Sequence, residues 1–251
     1  MTGKVAWITG GSQGIGQGCA VELARAGCDI AFCDIGAETE TIRIVQSLGR
    51  RALFVEGDVS NRESMEAVAR RIMETYGRLD ILVNNAAFGV RKAFLDLEIA
   101  DVERVWAVAL WGVFHCSQIA ARLMVKAANG GSIISISSVH AERAFPMSTA
   151  YNAAKSGVNA MTLTWASELA QHNIRVNAIE PGWTDTPGER RYFSEELIRE
   201  EGKKLPLGRL AEPAEIGKAA RFLASEDAAY ITGTILKVDG GFLLPMTTVR
   251  V

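Results

Sequence analysis

No two strand-like runs follow one another directly in this sequence, because a segment of helical period separates each from the next. Strands are predicted at Val5 to Ile8, Ile30 to Cys33, Ala52 to Val55, Ile81 to Val83, Ile133 to Ile136, Arg175 to Ile179 and Ile235 to Val238. Helices are predicted at Gly14 to Ala26, Glu38 to Leu48, Arg62 to Tyr76, Ala100 to Ala127, Ala150 to Gln171 and Pro213 to Leu223. Strands joined through helices cannot pair as hairpins, so the sheet must be parallel, with right-handed crossovers and helices on both faces. The expectation is an α/β fold, a doubly wound (Rossmann) parallel sheet of about seven strands. The chain has 251 residues, 48% of them hydrophobic, which is enough for one large core, and no repeat or Pro/Ser-rich linker marks a boundary. A single domain spanning 1–251 is therefore predicted. One long stretch without a strand runs from Pro181 to Pro213. It leaves the carboxyl end of a strand, the edge where open parallel sheets bind ligands, so residues 183–212 read as a substrate lid.

Charge and motif content narrow the function. With a formal net charge of −2 and no basic block, the chain lacks the electrostatic footprint of a nucleic-acid binder. The N-terminus has no signal-peptide pattern, and the apolar runs are strand-length pieces against the roughly 20 residues a bilayer demands, so no membrane partner is expected. Cys19, Cys28, Cys33 and Cys116 form no CxxC pair and fit a reducing, cytoplasmic setting. His115, His140 and His172 are isolated, and no metal is assigned.

The first strand ends in Thr9-Gly10-Gly11-Ser12-Gln13-Gly14-Ile15-Gly16 and opens into a helix, which places free backbone N–H groups and a positive dipole end where a pyrophosphate can sit. A turn that merely redirects the chain is the alternative. Asp34 closes the second strand 18 residues after Gly16, where a carboxylate meets the adenosine ribose hydroxyls and repels a 2′-phosphate. No Arg or Lys stands at 35–37, so NAD is preferred over NADP. Asp58-Val59 and Asn84-Asn85-Ala86-Ala87 follow the third and fourth strands on the same edge, either as cofactor contacts or as ordinary turn chemistry. In the helix from Ala150, Tyr151 and Lys155 share one face a turn apart, and an ammonium beside a phenol favours the phenolate. Ser138, at the end of GSIISISS, stands where its hydroxyl reaches the same substrate oxygen as Tyr151.

With TGGSQGIG, Asp34, NNAA, Ser138, Tyr151, Lys155 and the PGWTDT stretch in this order, the chain resembles the short-chain dehydrogenase/reductase family along its whole length. The resemblance implies that Tyr151 is the general acid/base, that Ser138 orients the substrate oxygen, and that Lys155 binds the nicotinamide ribose and lowers the tyrosine pKa. It also implies a cofactor site made of Gly10, Ser12, Gln13, Gly14, Ile15, Gly16, Asp34, Asp58, Val59, Asn85, Ala86, Pro181, Gly182, Thr184 and Thr186. One departure stands out. Members usually carry asparagine in a pattern like NxxGxF, and here the segment is Ala109-Leu110-Trp111-Gly112-Val113-Phe114. In the family that residue helps hold a water, largely through its backbone carbonyl, which alanine retains.

The segment IEPGWTDTPGE, with PLGR and YITG, is most similar to sugar or polyol dehydrogenases of the glucose 1-dehydrogenase type, although 3-oxoacyl-carrier-protein reductases share most of it. His140, Arg143 and Trp183 are the candidate substrate contacts; a solvated loop and a core tryptophan are their ordinary alternatives. The expected reaction interconverts a secondary alcohol and a ketone by hydride transfer, with oxidation favoured. The alternatives are a 3-oxoacyl-type ketoreductase and, from the alanine at 109, a non-catalytic NAD-binding sensor. The apolar C-terminus GGFLLPMTTVRV implies, through the resemblance, a homotetramer.

Overall fold

Seven strands lie side by side, all parallel: β1 (Val5–Thr9), β2 (Asp29–Asp34), β3 (Ala52–Glu56), β4 (Ile81–Asn84), β5 (Gly131–Ile136), β6 (Ile174–Pro181) and β7 (Ile235–Val238). This computed structural model describes residues 1–36, 40–191 and 193–244. The strand order is β3-β2-β1-β4-β5-β6-β7, so the winding reverses between β1 and β4 and opens a crevice beyond their carboxyl ends.

The strands read as near-continuous apolar runs because both faces are covered. Alternate residues serve opposite layers. Trp7, Ala31, Leu82, Ile133 and Val176 meet Met65, Val68 and Ile72 of α3 (Arg62–Tyr76), Cys116, Ala120 and Met124 of α5 (Gly112–Ala127), and Ala166 of α6 (Thr149–Leu169). Ala6, Ile8, Ile30, Phe32, Ile81, Val83, Ile134, Ile136 and Ile179 meet Cys19, Ala20 and Leu23 of α1 (Gly14–Arg25) and Ile216, Ala220 and Leu223 of α8 (Pro213–Ala224). All four cysteines are buried and unpaired. Helix α2 is Glu40–Ser47; the predicted start at Glu38 lies outside the described residues, as do residues 245–251, on which the expected subunit contact partly rests.

Two features depart from the sequence reading. The predicted helix from Ala100 to Ala127 is a 29-residue passage in three parts: α4 (Ile99–Trp106), a π turn over Ala107–Trp111, and α5. By length and composition it is apolar enough to cross a bilayer, with a mean hydropathy of 1.3 over an 18-residue window, against the expectation that apolar runs are only strand-length. His115, Gln118 and Arg122 interrupt the run and hide it from a count of consecutive apolar residues. Half of that window is buried within the protein, where Val113, Cys116, Ala120 and Met124 pack into the core, as a core helix requires. The second departure is the stretch from 183 to 212, which contains α7 (Glu195–Gly202), capped by the Ser194 hydroxyl accepting from the Leu197 N–H at 3.2 Å. The base of this excursion is tied shut, since Asp185 N–H donates to Ala211 O at 2.8 Å and Ala211 N–H to Trp183 O at 3.0 Å.

Candidate active site

The crevice at the strand ends is a cleft of about 820 Å³. The glycine turn forms one end of it. Gly10 adopts a left-handed backbone (φ +64°) that glycine favours, and its N–H donates to Cys33 O at 2.8 Å. Gly16 admits no side chain: a Cβ there would lie 2.0 Å from Gly10 O and 2.5 Å from Asn85 Nδ2. Asn85 holds the turn from the side, its amide donating to Thr9 O at 3.0 Å and Gly10 O at 2.9 Å, while the N–H groups of Asn85 and Ala86 donate to Thr9 Oγ1. Asn84 donates to Ser117 Oγ at 2.9 Å and Ser135 Oγ at 3.3 Å. The adjacent amides thus tie neighbouring strands together. Asp34 accepts from the Ser12 N–H (3.2 Å) and the Ile35 N–H (2.9 Å), which places its carboxylate on the turn. Gly10, Gln13, Gly14, Ile15, Asp34, Asp58, Val59, Asn85 and Ala86 all line the cleft, as do Pro181, Gly182, Thr184 and Thr186 on its other side. Ser12 and Gly16 sit behind this lining, and the buried Ser12 hydroxyl has no hydrogen-bond partner among the described residues.

Ser138, Tyr151 and Lys155 come together on the same cleft. Ser138 stands two residues past the end of β5, with its hydroxyl close enough to the Tyr151 phenol to favour its ionised form. Lys155, 2% exposed, donates to Ile136 O at 2.7 Å and lies 5.4 Å from the centre of the Tyr151 ring. Its backbone carbonyl accepts from Ser137 Oγ, which fixes α6 to the strand. The electrostatics differ from the simple picture of a lysine lowering a tyrosine. Burial first, then the Glu189 carboxylate, pushes the Tyr151 phenol up to about 12, and only the neighbouring Ser138 hydroxyl pulls it down. Burial pushes the Lys155 ammonium down to about 8. The ammonium lies over the ring face, and its charge does not pull the phenol down.

The remaining wall was largely missed by sequence reasoning. His140 stacks on Phe145 (centroids 4.1 Å), Phe145 on Phe242 (5.8 Å), and the His140 ring meets Tyr151 edge-on at 5.3 Å. Asn152 donates to Phe145 O at 3.1 Å, so its carbonyl oxygen must face His140 Nδ1, 2.7 Å away. The imidazole therefore carries its proton on Nδ1 and presents Nε2 as an acceptor; burial lowers its pKa and holds it neutral. Trp183 donates to Glu189 Oε2 at 2.9 Å and packs edge-on against Phe193. Phe88, Arg91, Arg104, Ser148 and Arg191 also belong to the lining, whereas Arg143 is exposed, outside the lining, with its guanidinium 5.7 Å from the Phe145 ring. Such positions carry no local motif; only the fold gathers them. Ala109 lies in the π turn, buried against Val105, Ala150 and Ala154, where a methyl group packs and an amide would need a partner. Among the described residues, no three His, Cys, Asp or Glu side chains gather as a metal site would require.

Residues 10–243 match the family model described as Enoyl-(Acyl carrier protein) reductase, a branch of the short-chain dehydrogenases/reductases. The chain is 38% identical to 2-dehydro-3-deoxy-D-gluconate 5-dehydrogenase of Escherichia coli, covering 97% of this chain and 96% of that one. It is 36% identical to a 3-oxoacyl-acyl-carrier-protein reductase of Thermotoga maritima, covering 97% and 99%. A solved structure of a putative 2-deoxy-D-gluconate 3-dehydrogenase from Agrobacterium tumefaciens, with bound NADP, superposes with a TM-score of 0.89 at 31% identity over 98% of each chain. The glycine turn, the parallel sheet and the clustered serine, tyrosine and lysine agree with this match, and the chain belongs to the short-chain dehydrogenase/reductase family of nicotinamide-dependent oxidoreductases.

Proposed function

We propose that the protein is an NAD-dependent dehydrogenase that interconverts a secondary alcohol and a ketone on a sugar or polyol. The observation that carries this reading is the gathering of Ser138, Tyr151 and buried Lys155 on the same cleft as a glycine turn too tight for any side chain at Gly16. The site fits the cofactor. The turn leaves backbone N–H groups and a buried, unpartnered Ser12 hydroxyl at one end, and Gly10, Gln13, Gly14, Ile15, Asn85, Thr184 and Thr186 would hold the diphosphate and nicotinamide portions. Asp34 would meet the adenosine ribose. Among the described residues, only Asp34 and Asp58 are charged at that end of the lining, so a 2′-phosphate meets a carboxylate there and no described cation. When bound, oxidised NAD supplies the hydride acceptor at its ring C4.

In the oxidative direction, Ser138 accepts or donates at the substrate oxygen and fixes it beside the phenol, and Tyr151 takes the hydroxyl proton. In the reductive direction the neutral phenol, held high by burial, returns that proton to the carbonyl oxygen. Lys155, anchored by Ile136 O over the phenol ring, would hold the nicotinamide ribose. The segment 183–212, closed at its base, supplies Trp183 and Glu189 and acts as the lid that excludes water. His140 Nε2, an obligate acceptor in the cleft, selects a substrate with a second hydroxyl to donate, which favours a polyol over an acyl thioester.

The test is a panel of sugars, polyols and simple alcohols followed by NADH absorbance, with Tyr151→Phe alongside. Turnover of a polyhydroxy substrate that Tyr151→Phe abolishes, with NAD binding retained, is expected. Tight NAD binding without turnover of any substrate would leave an NAD-binding sensor, and an active Tyr151→Phe would overturn the mechanism.

A further inference from the structure

Behind the wall of the cleft a carboxyl group is buried without a counter-charge of its own. Glu180, fully buried in β6 just before Pro181 and Gly182, receives one hydrogen bond, from Asn159 Nδ2 to its Oε1 at 2.7 Å. Its Oε2 has no partner among the described residues, and neither has Asn159 Oδ1. Lys237, its cross-strand neighbour in β7, pairs instead with Glu142 Oε2 at 2.6 Å. An ionised carboxylate can only accept hydrogen bonds, so one shut away from water with an empty oxygen is strongly disfavoured. The neutral acid has a proton to give. Burial first, then the nearby Glu142 carboxylate, raises Glu180 above its ordinary 4.5, against the Asn159 bond and the more distant pull of Lys237. The charged groups facing it are thus Glu142, from the loop after β5, and Lys237, from β7, while α6 contributes only the Asn159 amide. Asp239, just beyond β7, also acts on Lys237 but is turned to the N–H groups of Gly241 and Leu243.

We propose that Glu180 is a positioning residue that works as the neutral acid, donating its proton to the Glu142 carboxylate so that one shared proton locks three walls of the cleft together. Each wall is joined to the lock through the chain. Pro181 and Gly182, which line the cleft, follow Glu180 directly. Asn159 lies one turn beyond Lys155 on the face of α6 that carries Tyr151. Glu142 comes four residues after Ser138 and two after His140. Loss of the proton sets two carboxylates side by side against one lysine, and their repulsion parts the loop from β6. The lock rests on the geometry of the cleft and not on the substrate or the direction of reaction proposed above.

The experiment uses Glu180→Gln, whose amide accepts from Asn159 and donates to Glu142 as the acid does but has no proton to lose, and Glu142→Gln, on an exposed side chain. Urea unfolding of the wild type and both variants is followed from about pH 5 to about pH 9. Above 4.5 the unfolded chain has given up the Glu180 proton that the folded protein keeps, so the wild type loses stability as pH rises and levels off once the folded pair has ionised. Relative to Glu180→Gln, its unfolding constant is expected to rise about tenfold per pH unit within that window, every shared titration cancelling in the ratio. Glu142→Gln frees Lys237 to pair with an ionised Glu180 and largely removes the slope, which keeps the test decisive if Glu180→Gln does not fold. NADH affinity, read by fluorescence, is expected to fall about fivefold or more across the same window in the wild type and to hold in Glu180→Gln. A stability difference that does not change with pH, or a slope undiminished in Glu142→Gln, overturns the shared proton. An NADH affinity that follows one pH course in the wild type and Glu180→Gln overturns the positioning role. Stabilisation of the wild type by Mg²⁺ or Ca²⁺ that Glu180→Gln abolishes assigns the empty oxygens to a cation and likewise overturns the proposal. None of these results disturbs the dehydrogenase reading, which is decided by turnover.

Discussion

Replacing Lys155 with methionine should make the protein more stable at neutral pH while destroying its catalysis. The ammonium is 2% exposed, and burial lowers its pKa from 10.5 to about 8, which corresponds to a penalty of about 3 kcal/mol on the charged form in the folded protein. Methionine matches the length of the side chain, removes the charge, and forfeits the bond to Ile136 O, a loss of about 1–3 kcal/mol for a carbonyl left without its donor. The balance favours the variant by up to about 2 kcal/mol at pH 7. The sign with pH follows from linkage. Between 10.5 and about 8 the unfolded chain takes up a proton that the folded protein refuses, so the wild type loses stability as pH falls through this window and reaches a floor below about 8. Above 10.5 the lysine is neutral in both states, the advantage of methionine vanishes, and only the lost hydrogen bond remains. Urea unfolding of both proteins at pH 7, 8, 9 and 10 reads this directly, since Tyr151 and every other titrating group are shared and cancel in the difference. A difference that stays constant across that range would refute the argument that a buried, destabilising charge is retained for function.

Other perturbations probe the rest of the site. Asp34→Ala combined with Ile35→Arg removes the carboxylate and supplies a cation, and is expected to move the ratio of kcat/KM for NAD over NADP at least about 10-fold toward NADP; an unchanged ratio would dismiss Asp34 as the selector. Gly16→Ala drives a Cβ into Gly10 O, which is backbone and cannot rotate away; NADH affinity should fall by more than about 10-fold in a fluorescence titration, and wild-type affinity would show that the turn is not the cradle. Glu189→Gln removes the carboxylate that raises Tyr151, so the alkaline rise of kcat/KM for oxidation should shift to lower pH, and a superimposable pH profile would remove Glu189 from the electrostatics of the phenol.

The glycine-turn side of this cleft was legible in the sequence and the opposite wall was not, for a physical reason. A diphosphate pressed against backbone demands glycine at fixed offsets from a strand end, and the one-turn relation of Tyr151 to Lys155 is set by the helix alone, so both leave local signatures. Strand positions were equally open to inspection, because strands buried on both faces must be apolar throughout. The wall of His140, Phe145, Phe242, Phe193 and Arg91 is assembled from four separated segments, and nothing in their local sequence marks them as neighbours. His140 was singled out by its nearness to Tyr151, but its role as an acceptor depends on Asn152 and on Phe145 O, a constraint that exists only once the helix and loop are packed. Helix α7 escaped notice because its apolar residues are few and its first turn is acidic, the pattern of a solvated segment as much as of a helix.

The same comparison explains why function collects at the carboxyl edge of the sheet. Along the strands the backbone ladder satisfies itself and side chains need only be apolar, but at the ends of β1, β4 and β5 the ladder stops and polar side chains take over. Thr9 Oγ1 accepts two N–H groups from the 85–86 stretch, Asn85 donates to two carbonyls of the glycine turn, Asn84 bridges to Ser117 and Ser135, Ser137 holds the carbonyl of Lys155, and Lys155 holds that of Ile136. Each of these bonds spans elements that are distant in sequence, so together they fix the turn, the strand ends and α6 relative to one another in the folded protein. Buried polar groups of this kind add little net stability and leave a large penalty when one partner is removed. Their concentration at this edge is therefore better understood as positioning, which keeps the phenol, the serine and the cradle in register for a transfer that tolerates errors of only a fraction of an ångström.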